Sequence, residues 1–100
     1  MDPKPLVLED FADKLGQCFK VLDLGEIALD LTLTEADPLP IHAGVGAGRP
    51  PFSLVFTGRP DCLLRQQIHR LEHAGLGRLE IFLVPIGRDA AAATYQAVFN

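Results

Sequence analysis

The chain has 100 residues, 48% hydrophobic and 22% charged, with a formal net charge of −4. That length makes one domain, which buries roughly 60–65% of the surface its unfolded form exposes, and the composition excludes a disordered chain. Its nine Lys and Arg stand singly, so no concentrated basic face is present to displace counterions from phosphates, which excludes nucleic-acid binding.

The opening "MDPKPLVLED" lacks the charged-then-apolar-then-small pattern of a signal peptide, and no apolar run reaches the roughly 18 residues that span a bilayer. Cys18 and Cys62 belong to no CxxC or metal-like spacing. The expectation is a cytoplasmic protein with two reduced thiols. In "LVLEDFADKL", residues 6–15, Leu8, Phe11 and Leu15 share one helical face, opposite Glu9, Asp10, Asp13 and Lys14. This predicts a helix of two or three turns, ended by Gly16 in a left-handed conformation and too short to stand without packing.

After Gly16 the period falls from 3.6 to 2. "QCFKVL" alternates Phe19 and Val21 with Cys18 and Lys20, and "DLGE" (23–26) reads as a turn. "EIALDLTLT", residues 26–34, is the clearest strand, with Ile27, Leu29, Leu31 and Leu33 on one face. A long loop is expected over 36–51, which holds four prolines and three glycines. Then come strands at 52–58, 66–73, 78–86 and "TYQAVF". Residues 78–86 are apolar on both faces toward their end, the mark of a central or doubly covered strand. Pro85 marks a strand end, an edge or a bulge. Leu29, Leu31, Leu54, Phe56 and Phe82 are the expected core. With no helix between the later strands, antiparallel meander pairing follows. The last strand should pair with 78–86, leaving the Pro-flanked 52–57 as an open edge.

The candidate sites are weak. "HAGVGAGRPP" has a glycine loop, but it leads into two prolines and strand period rather than a helix N-terminus, so it is no phosphate cradle. His69 and His73 would grip one metal ion on a helix; on a strand they stand about 13 Å apart. One should be packed or hydrogen-bonded and the other solvated. Glu72 and Glu80 flank the 74–77 turn and stand to oppose each other across a hairpin, as two acids on a wet face often do. Ser53 has no nucleophile-elbow context. No catalytic, cofactor-binding or metal residue is assigned, and no cofactor is expected.

"PFSLVFTG", "QQIHRLEHAGLGRLEIFLVPIG", the closing "YQAVFN" and the early "FADKLGQCF" resemble a bacterial family of small domains of unknown function. The resemblance implies a setting beside proteins like phage tail collar or tail fibre subunits. It also implies an accessory, assembly or interaction role, with no catalytic residues to carry over. Where that family tends to place an aromatic ring, this chain has His69, which is therefore expected to point inward. The resulting expectation is an α+β, mostly β domain: a short N-terminal helix over one open side or end of about six antiparallel strands, in a barrel-like or sandwich sheet. Its expected function is non-enzymatic interaction with a protein partner, tail-fibre-like subunits included, or with itself. A small-molecule-binding β-barrel is the alternative, and an unrecognised enzyme comes third.

Overall fold

A computed structural model describes residues 7–39 and 51–99. A single helical turn, α1 (Glu9–Ala12), precedes six strands: β1 (Cys18–Val21), β2 (Asp30–Pro38), β3 (Phe52–Gly58), β4 (Gln67–His73), β5 (Gly77–Arg88) and β6 (Ala93–Phe99). All pairings are antiparallel and the sheet closes into a barrel in the order β1-β2-β3-β6-β5-β4. The seam between β1 and β4 is short, made by Lys20↔Glu72 and Val21↔Leu71.

This order is two three-stranded meanders rather than one. β3 and β4 lie on opposite sides of the ring, so the connection 59–66 crosses the barrel mouth. Its Leu64 is buried there. The opposite mouth is filled by α1, whose Phe11 ring lies 6.4 Å from Phe19, 5.9 Å from Phe52 and 6.0 Å from Phe99. Phe11 is fully buried, which stabilises the fold by about 1.5–3 kcal/mol. Between the mouths, Phe19, Leu31, Leu33, Leu54, Phe56, Leu71, Ile81, Leu83 and Tyr95 form one inward cluster.

Several expectations are corrected. The helix is four residues long, not ten, because Gly16 N–H donates to Leu33 O and Gln17 O accepts from Leu33 N–H. Those bonds draw 13–17 onto the β2 edge and leave Leu15 half exposed. Gly16 does adopt φ +84°, but as the entry to β1. The clearest strand is shifted. β1 ends at Val21, whose N–H still reaches Leu29 O, so among the described residues 27–28 have no strand beside them, and Ile27 is exposed while Leu29, Leu31 and Leu33 are buried. At its far end β2 takes in 36–38, which pair with 52–54 beyond a bulge at Thr34; the rest of the expected loop, 40–50, lies outside the described residues.

Phe82 is not core. It is 47% exposed, because among the described residues of this single-layer barrel nothing covers the second apolar face of β5. Nor is 52–57 an open edge. β3 pairs with β2 on one side and β6 on the other. β6 pairs with β5 as expected, through Val84↔Gln96 to Arg88↔Ala93. β5 leaves β4 at Leu83, so 84–88 pair with β6 alone among the described residues. Pro85, which has no N–H to donate, and a bulge at Ile86 guard that one-sided stretch.

Gly58 shows how tightly the wall is packed. A Cβ added there would stand 2.8 Å from Leu31 Cδ2. Leu31→Ala alone is expected to cost about 2–5 kcal/mol in urea unfolding, and Gly58→Ala about 1–3 kcal/mol. The double variant should cost less than the sum, since the first change vacates what the second fills; strict additivity would disprove the contact.

The β5–β6 turn is held by Asp89. Its Oδ1 accepts from Ala92 N–H at 2.9 Å and Ala91 N–H at 2.7 Å. These two bonds, Ala92 first, hold its carboxyl below the ordinary value of 3.8. A lowered folded value means the turn's contribution is present above the ordinary carboxylate range and fades as pH falls through the lowered one. An NMR titration should give Asp89 a midpoint below that of an unstructured aspartate; an equal or higher midpoint would refute the turn geometry.

Candidate functional site

The polar groups inside the barrel gather along β4. From His69 on, the odd positions of this strand are buried, and two of them are histidines, His69 and His73. The inward direction of His69 is as expected. The expectation of one solvated histidine is corrected, for each ring has its own polar partners.

His69 Nδ1 lies 3.0 Å from Asp23 Oδ2, and its Nε2 lies 2.8 Å from Arg65 O. Both partners are acceptors, so the arrangement is saturated by a ring carrying hydrogen on both nitrogens. Asp23 uses its second oxygen, Oδ1, to accept from Arg70 N–H at 3.3 Å, one step beyond the bond from Leu22 N–H to Arg70 O. The carboxylate thus continues the β1–β4 ladder where β1 has run out. His69 then links that point to the crossing connection. Tyr95 makes a second link, accepting from Leu64 N–H at 3.0 Å and donating to Cys62 O at 3.3 Å.

His73 is wired differently. Its Nδ1 accepts from Gly75 N–H at 3.0 Å and Leu76 N–H at 3.1 Å, so Nε2 carries the hydrogen and donates to Gln17 Oε1. The ring also packs against Phe19, 4.7 Å between centroids. It organises the β4–β5 turn and ties it to the entry of β1.

An aspartate on Nδ1 of a buried histidine is the orienting half of a nucleophile-activating triad. Here the position where such a triad holds its nucleophile is taken, since Nε2 meets a backbone carbonyl, Arg65 O. Cys18 and Cys62 are free thiols, the first exposed. Ser53 is buried on the wall of β3, between Asp37 and Val98 in register. Among the described residues no group of three or more His, Cys, Asp or Glu gathers as metal ligands would. The glycine loop at 42–49 lies outside the described residues. Glu72 and Glu80 do not oppose each other: Glu72 faces Arg78 and Glu80 faces Arg70 across the hairpin, with Arg78 Nε 3.6 Å from Glu72 Oε2.

The second feature is on the outside. Ile68, Phe82 and Val98 are 59%, 47% and 48% exposed. Ile68 and Phe82 are direct cross-strand neighbours. Beside them, Leu22, Arg70, Arg78, Leu79 and Glu80 line an open-sided cleft of about 430 Å³.

Against known proteins, a family model described as a domain of unknown function, DUF6916, matches residues 6–99. The chain belongs to that family. No curated protein and no solved structure matches. The family model covers nearly the whole chain, α1 and all six strands included. No helix among the described residues is long and apolar enough to cross a membrane.

Sequence reasoning missed Asp23, Gln17 and Tyr95 as structural polar anchors. An Asp in "DLGE" reads as turn chemistry, and nothing local announces a partner 46 positions away. Asp23→Ala removes the acceptor for both His69 and Arg70 N–H, and is expected to cost about 2–4 kcal/mol in urea unfolding. His69→Phe keeps the ring but strands Asp23 and Arg65 O, so it should also destabilise; a neutral result for both would show that the clamp holds nothing.

Proposed function

We propose that this domain is a non-enzymatic protein-interaction module that binds through the outer face of its barrel. The observation carrying this reading is the exposed cross-strand pair Ile68 and Phe82, with Val98 also exposed on β6, on the outside of a barrel whose inward positions are occupied by its own side chains. Exposed apolar side chains that cluster mark a contact surface far more often than single ones do. An aromatic at the centre is the usual anchor. The occupied interior, with Leu64 at one mouth and Phe11 at the other, supports this over a ligand-holding barrel, which needs an open mouth. The Nε2-capped His69 supports it over an enzyme. A bacterial setting and a tail-fibre-like partner belong to the same proposal and rest on the sequence resemblance alone; a cytoplasmic setting belongs to it too and rests on the two free thiols.

Phe82→Ser is the test. It should shift unfolding by no more than about 1 kcal/mol, as a half-exposed position allows. Tagged wild type and F82S serve as parallel baits in native lysate that also contains the untagged chain. The wild type should retain a protein, foreign or its own untagged copy, and F82S should lose it. A wild type that retains nothing, or a variant that retains the same protein equally, would overturn the reading.

A further inference from the structure

The outer face of the β4–β5 hairpin has a symmetry that names its partner. Its outward side chains stand in three cross-strand rows: Ile68↔Phe82, Arg70↔Glu80 and Glu72↔Arg78. All but the half-buried Glu72 are exposed. One row is apolar on both strands, and the other two carry opposite charges whose sense reverses from row to row. We infer that this face is the interface of a symmetric homodimer, and that the module proposed above binds a second copy of itself there.

A two-fold axis in the contact plane, parallel to the strands and midway between β4 and β5, settles the pairing. It places every residue over the partner's copy of its cross-strand neighbour. Ile68 then meets the partner's Phe82, Arg70 the partner's Glu80, and Glu72 the partner's Arg78, each contact occurring twice. Apolar groups meet apolar groups, and each charge meets its opposite. Self-complementarity of this kind is what an isologous interface requires.

Charge favours the same choice. The chain carries −4 overall, yet this face sets two arginines against two glutamates and is neutral. Two copies approaching here bring none of the surplus negative charge together. The cleft beside Arg70 and Arg78 gives long side chains from the facing copy room to seat. The binding mode is face to face, since β4 and the first half of β5 pair with each other along their shared length and the one-sided part of β5 is guarded by Pro85 and its bulge.

The inference rests on the proposed function, and one experiment separates the two. Sedimentation of the wild type at rising concentration should shift from the 10.9 kDa chain toward twice that mass. F82S, R70E and E80R should each stay monomeric. R70E has an all-acidic middle row and E80R an all-basic one, so an equimolar mixture of these two should recover the dimer. That recovery also shows that both variants are folded. A wild type that stays monomeric, single charge variants that dimerise like the wild type, or a mixture that stays monomeric would each overturn the dimer. A monomeric wild type that still retains a foreign protein through Phe82 overturns the dimer and leaves the proposed function standing. A monomeric wild type that retains nothing overturns both.

Discussion

Everything in this fold depends on the chain crossing its own barrel. Two three-stranded meanders close into one ring only if the connection from β3 to β4 passes from one side of the mouth to the other. That passage carries eight residues of backbone over an apolar core, and backbone polar groups there need partners. Tyr95 and His69 supply them. The phenol takes Cys62 O and Leu64 N–H, and the imidazole takes Arg65 O. The two buried polar side chains that look most like chemistry are therefore explained by topology. Asp23 follows from the same requirement, since it orients the imidazole and finishes the β4 edge where β1 stops short.

The consequence for function is an inversion of the usual barrel logic. Larger barrels present an open mouth and a cavity; here one mouth holds Leu64 and the other Phe11, and the inward positions are packed. What remains available is the convex exterior. Most of it is ordinary mixed polar surface, but on β4, β5 and β6 the apolar residues continue onto the wet side. Such residues lower solubility, and a cross-strand pair such as Ile68 and Phe82 stabilises the sheet only modestly, about 0.2–1 kcal/mol; the proposed partner surface would cover them.

Much of the fold was legible because a half-buried strand announces itself by period. Phe19 and Val21, Leu31 and Leu33, and Leu54 and Phe56 all face inward as alternation predicts. The antiparallel barrel-like class and the β5–β6 pairing follow from the same kind of reading, while the inward His69 follows from the family resemblance. The failures have a common cause, which is that period reports chemistry and not neighbours. Ile27 has the right parity but no strand beside it. Phe82 has the right hydrophobicity but lies on the outer face of the barrel and is half exposed. Leu8, Phe11 and Leu15 draw a helical stripe, yet only Phe11 has a full set of neighbours, because β2 claims the backbone at Gly16 and Gln17 first. The site was less legible still. One of the two histidines is expected to be solvated because the partners that bury His73, Gln17 and the 75–76 amides, come together only in the folded barrel. Glu72 and Glu80 looked like a pair until the register set an arginine opposite each.

The brevity of the β1–β4 seam bears on how the molecule is made. Lys20 and Glu72 are separated by half the chain, and only two residue pairs join their strands. Contacts between such distant positions carry a large loop-closure entropy and come late on a folding path, after local hairpins such as β4–β5 have formed. Until the seam closes, β1 and β4 are bare strand edges on a nascent sheet whose apolar face is still wet. That half-open species is the aggregation-prone one. Because Asp23 and His69 sit at the end of the seam, the clamp acts as a latch on a ring that is otherwise slow to shut.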